Sequence, residues 1–240
     1  MTAARINKYF TEQGFCSRRA ADRMIRESRV RINGRVAVLG DQVADDDVVT
    51  LDDRVVKSRP HAVYLAYHKP VGVTSTTEPH VESNILQAVG YPERIFPVGR
   101  LDKDSSGLIL LTNDGDIVNL ILRAEFGHER EYRATLDRPY SPTFLRCLEQ
   151  GVLVQGEKTR PCRTARVGAV TFRIMLTEGR NRQIRRMCSA LGYRVVRLAR
   201  IRIMHIRLGD LPVGKWRELT PKEQEKLIAA VGLCEEKAAS

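Results

Sequence analysis

The first 26 residues place apolar side chains at the spacing of two amphipathic helices. Ile6, Tyr9 and Phe10 share one face of a first helix, which Gly14 is suited to end. Ser17 is a candidate N-cap for a second helix. The pattern buries one side of that helix and exposes the other, with Ala20, Ala21, Met24 and Ile25 inside and Arg18, Arg19, Arg23 and Arg26 outside.

A strand-like alternation follows these helices. Residues 30–32 and 35–38 flank Asn33-Gly34, a dipeptide typical of a two-residue hairpin turn, and residues 48–51 predict another strand. Residues 57–60, with the sequence Lys-Ser-Arg-Pro, have the composition of a linker. We therefore predict a first domain over residues 1–60, a larger domain over residues 61–233 and a short C-terminal tail over residues 234–240.

The larger region mixes strand and helix patterns without regular alternation. The predicted strands cover residues 63–67, 108–112, 131–136, 171–176 and 194–208, and the last changes phase at Met204-His205, which suggests a bulge. The predicted helices cover residues 116–123, a segment between Gly179 and Gly192, and a segment between the capping box Thr220-Pro221-Lys222-Glu223 and Gly232. This mixture predicts an α+β fold, with a mixed, mostly antiparallel sheet flanked by helices.

Composition narrows the class of protein. The 240 residues carry a net charge of +11 with an isoelectric point near 9.7, which predicts an acidic partner, most simply a nucleic acid. Apolar runs are far shorter than the roughly 18 residues of a membrane span. Five scattered cysteines disfavour a disulfide framework or a zinc site and fit a reducing cytoplasm. Phosphate-binding glycine loops and metal-spaced histidine pairs are missing, so we expect neither cofactor nor metal.

The acidic residue Asp102 stands on a loop bracketed by glycines. Residues 99–107 read Gly-Arg-Leu-Asp-Lys-Asp-Ser-Ser-Gly and lead into the apolar residues 108–112. A short loop that enters a buried strand holds a side chain such as Asp102 in a fixed position at the mouth of a pocket. An aspartate before Ser-Ser-Gly is also an ordinary turn residue, so the surrounding residues decide between the two interpretations.

The whole run resembles the catalytic signature of the RNA pseudouridine synthases, in the branch that acts on ribosomal RNA. Asp102 falls where that family has its essential aspartate. The resemblance implies an isomerisation in which uracil leaves the ribose through N1, rotates and rejoins through C5. Whether the carboxylate attacks the sugar carbon or abstracts a sugar proton stays open. Residues 103–105, 112–116 and 200–204 resemble the subgroup that acts on the large ribosomal subunit.

The resemblance implies further site residues. Gln183-Ile184-Arg185 matches a motif that sets an arginine against the aspartate, which implies Arg185, and Ile184 would close the pocket. Tyr132 matches the tyrosine whose ring stacks on the flipped base, although a strand tyrosine judged alone is more often part of a core. Arg100 matches the arginine that assists base extrusion.

The first 60 residues resemble an S4 RNA-binding domain, through residues 5–9, 17–21 and 30–34. Outward arginines also serve solubility, but here they cluster opposite an apolar face. The predicted RNA contacts are Lys8, Arg18, Arg19 and Arg23, with Arg182 and Arg186 as contacts to the RNA backbone. Further arginines, at positions 194, 197, 200, 202 and 207, extend this basic character.

The sequence thus predicts a cofactor-free, cytoplasmic and monomeric enzyme. Its expected substrate is a specific uridine of large-subunit (23S) ribosomal RNA. Two alternatives stay open: the same reaction on small-subunit ribosomal RNA or transfer RNA, and a non-catalytic RNA-binding factor in ribosome assembly.

Overall fold

A computed structural model describes residues 4–44, 46–56, 62–78, 80–122 and 127–238, the last six by their backbone alone. The chain divides into two compact units, of which the first comprises Met1–Val63, Tyr91–Ile95 and Asn113–Gly115 and the second comprises Tyr64–Gly90, Phe96–Thr112 and Asp116–Ser240. The linker predicted at residues 57–60 lies outside the described residues. The domain boundaries placed at residues 60 and 233 therefore stay predictions.

Within its described residues, the first unit has two helices and six short strands. The helices are α1 (Ile6–Glu12) and α2 (Arg18–Arg26). The strands are β1 (Ala4–Arg5), β2 (Val30–Ile32), β3 (Arg35–Val36), β4 (Gln42–Val43), β5 (Val49–Leu51) and β6 (Arg54–Val55). β1 pairs with β4, and the other four form an antiparallel sheet in the order β3-β2-β5-β6.

Local sequence signals set the boundaries of this unit. The Ser17 hydroxyl accepts a hydrogen bond of 3.2 Å from the Ala20 amide, which confirms the predicted N-cap of α2. Asn33 and Gly34 have φ angles of 50° and 81°, as the predicted hairpin turn requires. The two helices and the sheet bury one core, which contains Ile6, Phe10, Ala21, Ile25, Val30, Ile32 and Val49.

The second unit is built on one large mixed sheet. Its helices are α3 (Ile85–Val89), α4 (Gly115–Leu122), α5 (Pro142–Glu149), α6 (Gln183–Ala190) and α7 (Pro221–Ala238). Its strands are β7 (Tyr64–Lys69), β8 (Phe96–Val98), β9 (Ser106–Thr112), β10 (Arg130–Leu136), β11 (Leu153–Val154), β12 (Glu157–Lys158), β13 (Arg163–Arg166), β14 (Thr171–Leu176), β15 (Val195–Ile203), β16 (Ile206–Arg207) and β17 (Trp216–Glu218). The main order is β13-β14-β10-β15-β9-β7-β17. Among the described pairs of this sheet only β9 and β15 run parallel, so the predicted fold class is confirmed.

Two cores lie along this sheet. The first core packs α5 and α6 on β10, β14 and β15, through residues such as Phe144, Met187, Ala134, Ile174 and Leu198. The second core packs α4 and α7 on β7, β9 and the hairpin of β15 and β16, through residues such as Ile117, Leu227, Tyr64, Leu110 and Ile206. No helix within the described ranges is both long and apolar enough to cross a membrane.

The parallel contact between β9 and β15 is unusually close. Gly107 lies opposite Arg200 and has a φ angle of 109°. A Cβ atom added at Gly107 would stand 2.2 Å from the carbonyl oxygen and 2.5 Å from the nitrogen of Arg200. Because every other residue type carries that Cβ atom, only glycine allows the strand after the aspartate loop to meet β15.

Several predicted boundaries were wrong. Residues 204–205 form a tight turn and not a bulge, with φ of 51° at Met204, because β16 folds back on the end of β15. The register shift in this region lies instead between Glu131 and Tyr132, opposite β15. α7 continues past Gly232 to Ala238, since a glycine only weakens a helix that is otherwise well formed. Helices α3 and α5 were not predicted.

We expect Gly107→Ala to destabilise the second unit by about 2–4 kcal/mol, because the new methyl group overlaps backbone atoms that have no room to move. Urea denaturation would measure this change. Gly168→Ala is the matched control, since a Cβ atom there meets nothing within 4 Å. Equal midpoints for the two variants would contradict the close contact between β9 and β15.

Candidate active site

The loop that carries Asp102 is held by hydrogen bonds to its backbone. The buried Ser75 hydroxyl donates to the Leu101 carbonyl at 2.9 Å and accepts from the Leu101 amide at 3.2 Å. The Gly72 amide donates to the Lys103 carbonyl at 2.7 Å, and the Ser105 amide donates to the Asp102 carbonyl at 3.0 Å. Asp102 itself keeps 30% of its side chain exposed. The loop therefore presents an accessible carboxylate on a fixed backbone, as its sequence predicts.

Two arginines from the start of α6 lie against this loop. Arg182 donates two hydrogen bonds to the Asp104 carboxylate, at 3.1 and 2.8 Å, and its Nη1 lies 3.9 Å from Oδ2 of Asp102. Arg185 donates to the Asp104 carbonyl at 2.9 Å, and its Nε lies 3.4 Å from Oδ2 of Asp104. The hydrogen bonds from Arg182 hold the pKa of the Asp104 carboxyl below its ordinary value. Asp104 thus binds both arginines, and Arg182 lies beside Asp102 as well.

This arrangement corrects the predicted pairing of Arg185 with Asp102. Among the described residues, the ion-pair partner of Asp102 is Arg182. The guanidinium of Arg185 is held by the Val195 carbonyl at 2.9 Å, which directs it toward residue 104. The sequence had assigned Arg182 only to the RNA backbone.

A buried acid and a buried amide set the position of Arg182. Glu178 accepts a hydrogen bond of 2.6 Å from the Gln183 amide group and one of 3.3 Å from Nε of Arg180. The Gln183 side-chain oxygen accepts a hydrogen bond of 3.1 Å from the backbone amide of Arg180. Arg182 follows this turn with a φ of 53°, at the N-cap of α6. A left-handed backbone conformation is strained for arginine, and it persists only where the surrounding contacts impose it. Arg186, predicted with Arg182 to contact RNA, donates to Gln155 and Asn181.

Lys69 lies buried beside the aspartates, at the end of β7. Its Nζ donates to the carbonyls of Pro70 and Val73, both at 2.8 Å, which closes the turn that precedes Ser75. Burial lowers the pKa of Lys69 to about 8, while the negative charges of Asp102 and Asp104 oppose that shift. The sequence had assigned Lys69 no role. A lysine before Pro-x-Gly at a strand end was the available signal.

The other predicted site residues lie on β10, on α6 and on the aspartate loop. Tyr132 is half-buried on β10, opposite Ile174 and Arg200, and packs on the first core, to which Ile184 also belongs. Arg100 is exposed on the loop. The fully buried Arg200 donates to the Leu108 carbonyl at 2.7 Å, and its Nη2 has no hydrogen-bond partner among the described residues. The sequence had treated Arg200 as one more basic residue.

The predicted RNA contacts of the first unit lie on its helices. Arg18, Arg19 and Arg23 are exposed on α2 and make no hydrogen bond or ion pair within the described part of the chain. Lys8 forms an ion pair of 3.2 Å with Glu12 on α1. No group of three or more potential metal ligands occurs among the described residues.

Lys69 makes a testable contribution to stability against pH. Between about pH 8 and its ordinary pKa of 10.5, the unfolded state keeps a proton that the folded state releases, so stability rises with pH. We expect urea denaturation to show a gain of about 1 kcal/mol per pH unit for the unchanged protein relative to Lys69→Met in this window. Exposed Lys103 provides the control, since Lys103→Met should follow the unchanged protein. Parallel curves for Lys69→Met and the unchanged protein would refute the shift.

Comparison with known proteins agrees with this architecture. The family described as RNA pseudouridylate synthase matches residues 63–190, and the S4 domain matches residues 4–49. The dual-specificity RNA pseudouridine synthase RluF of Salmonella typhi is 49% identical, over 92% of this chain and 78% of the relative. The ribosomal large subunit pseudouridine synthase B of Bacillus subtilis is 36% identical, over 94% of this chain and 96% of the relative.

A solved structure shows the same fold. A crystal structure of a pseudouridylate synthase superposes with a TM-score of 0.68 at 31% identity, over 93% of this chain and 99% of that one. The expected S4 domain and synthase fold are thus confirmed. The chain belongs to the RNA pseudouridylate synthase family and is a pseudouridine synthase with an N-terminal S4 domain.

Proposed function

We propose that this synthase isomerises a uridine of large-subunit ribosomal RNA, with Asp102 as its catalytic carboxylate. The observation that carries the proposal is the fixed loop that leaves the Asp102 carboxylate accessible, with Arg182 3.9 Å away. The large-subunit target is supported by the name of the Bacillus subtilis relative. The name of the Salmonella typhi relative, with its dual specificity, makes a second RNA substrate the first alternative to test.

The reaction needs no external reagent. The bond between N1 of uracil and C1′ of ribose breaks, the base turns, and C5 bonds to C1′. The proton displaced from C5 leaves to solvent and N1 takes up a proton, so the atoms balance. Asp102 serves either as a nucleophile at C1′ or as a base toward a sugar proton. In both routes Arg182, whose Nη1 lies 3.9 Å from Oδ2 of Asp102, helps to hold the carboxylate in place before reaction.

The remaining site residues take supporting roles in this proposal. Tyr132 supplies the ring on which the detached base rests, and Ile184 closes the pocket beside it. Arg185 holds the loop through its bond to the Asp104 carbonyl and so keeps Asp102 in register with α6. Exposed Arg100 is positioned to occupy the space that the extruded base leaves in the RNA stack. The S4 domain supplies affinity through α2.

Asp102→Asn should abolish turnover while RNA binding stays intact, because the amide is neither nucleophile nor base. Tritium release from RNA labelled at uracil C5 measures the reaction directly. We expect about one tritium per large-subunit RNA from the unchanged protein and at least about 1,000-fold slower release from the variant.

Asp210→Asn is the matched control, since Asp210 is an exposed turn residue of the same unit. Small-subunit ribosomal RNA and transfer RNA are assayed in parallel. Tritium release from only one of these RNAs would support the proposed reaction but contradict the large-subunit target. Residual fast release by Asp102→Asn would overturn the assignment of the carboxylate. Tritium release from none of the RNAs would favour the alternative of a non-catalytic RNA-binding factor in ribosome assembly.

The double variant Arg18→Glu and Arg19→Glu should weaken RNA binding before it affects the chemical step. Loss of two phosphate contacts reduces the slope of log affinity against log salt by about 2. Binding titrations at several salt concentrations would measure this slope. The control, Lys215→Glu with Lys222→Glu, changes the net charge equally at exposed positions of the second unit. Equal losses for both double variants would assign the effect to net charge alone.

A further inference from the structure

The large sheet has a second face that the proposed reaction does not use. Successive residues of a strand point to opposite sides of a sheet. On β10, Tyr132 and Ala134 belong to the first core beneath α5 and α6. Arg133 and Thr135 therefore point away from that core. Arg182, the N-cap of α6, lies beside Asp102. The face of Arg133 is therefore opposite the face that α6 covers.

Arginines dominate this second sheet face, which we define by the side chains that share it across β13, β14, β10 and β15: Arg163, Arg173, Glu131, Arg133, Thr135, Arg197 and Arg202. Arg133 stands directly across from Arg173 in the register of β10 and β14. Like charges in directly opposed positions destabilise a sheet. An anion bound between them would remove that cost.

The acids nearby neutralise only part of this charge. Buried Glu131 accepts from Nε of Arg202 at 2.8 Å and from Nη1 of Arg173 at 3.3 Å. Glu129 pairs with Arg163 and, at 3.1 Å, with Arg202. Within the described residues, exposed Arg133 and Arg197 have no hydrogen bond or ion pair. The second sheet face therefore keeps a net positive charge with two uncommitted guanidinium groups.

A groove opens at the Glu131 end of the second sheet face. Its volume is about 440 Å³. Its lining combines Met175 and Met204 with His205, with the ion-paired acids Glu129 and Glu131, and with Arg173, Arg202 and exposed Arg207. The buried Nε of Arg173 has no hydrogen-bond partner among the described residues. Apolar and guanidinium surfaces together suit the stacked bases and phosphates of a single RNA strand.

We propose that the second sheet face is a second RNA-binding surface, for a segment of the substrate RNA outside the loop that contains the target uridine. Arg133 and Arg197 contact its phosphates, and the groove takes an adjoining nucleotide. The inference rests on the proposed function, in that the substrate is a long ribosomal RNA. It explains why arginine and not lysine occupies these positions, since guanidinium groups bind phosphate through paired hydrogen bonds.

The test compares two RNAs with the double variant Arg133→Gln and Arg197→Gln. One RNA is a minimal stem-loop that contains the target uridine. The other is a transcript of the whole surrounding domain of large-subunit RNA. We expect KM for the long transcript to rise about tenfold and its salt slope to fall by about 2, with kcat unchanged. Turnover of the stem-loop should not change. The melting temperature should stay equal or rise, because the Arg133–Arg173 repulsion is removed.

The control variant, Arg146→Gln with Lys215→Gln, removes two exposed charges elsewhere in the same unit. An unchanged KM for the long transcript would overturn the proposal, as would an equal rise for both RNAs. An effect seen only with ribosomal particles, and not with naked transcript, would assign the surface to a protein partner instead. If the unchanged enzyme modifies neither RNA, the proposed function fails, and filter binding of the two RNAs still decides whether the second face binds the long one.

Discussion

The close contact of β9 with β15 is the constraint on which the rest of the second unit depends. The two strands meet where Gly107 faces the backbone of Arg200, and no Cβ atom fits between them. On one side of this contact lies the first core with α6, and on the other side lies the second core with α4 and α7. The strand that Gly107 belongs to begins directly after the aspartate loop. A single backbone contact thus joins the two cores and sets the distance between the loop and α6.

Ion pairs then hold the aspartate loop against the start of α6. Asp102 and Asp104 stand two residues apart, beside Arg182, Arg185 and buried Lys69. Asp104 accepts most of the hydrogen bonds from the two arginines, so its carboxylate is structurally committed. Among the described residues, the side chain of Asp102 has only the longer contact to Arg182, and its carboxylate stays accessible. The two carboxylates differ because the arginines at the start of α6 bind Asp104 closely and leave Asp102 with a longer contact.

Local signals were predictable from the sequence, and long-range contacts were not. The Ser17 cap, the Asn33-Gly34 turn and the Thr220–Glu223 capping box each depend on residues within one turn, and each is present. The aspartate loop was predictable because its residues are consecutive. The roles of Lys69 and Ser75 were not, since their partners lie on carbonyls that only the fold brings near. Arg182 replaced Arg185 beside Asp102 for the same reason: the Val195 carbonyl, on another strand, holds Arg185.

The alternation of side chains along β10 places residues both on the core side of the sheet and on the second sheet face. One strand places Tyr132 against the core beneath α6 and, one residue later, Arg133 on the opposite side. The register shift between Glu131 and Tyr132 alters the pairing with β15, so that Arg200 lies opposite Tyr132 while Arg202 reaches Glu131. Without that shift, Arg200 and Arg202, which are two residues apart, would point to the same face of the sheet. The irregularity therefore assigns Arg200 to the buried side and Arg202 to the second sheet face. Sequence alternation alone does not reveal this, because a bulge changes the phase of every residue that follows it.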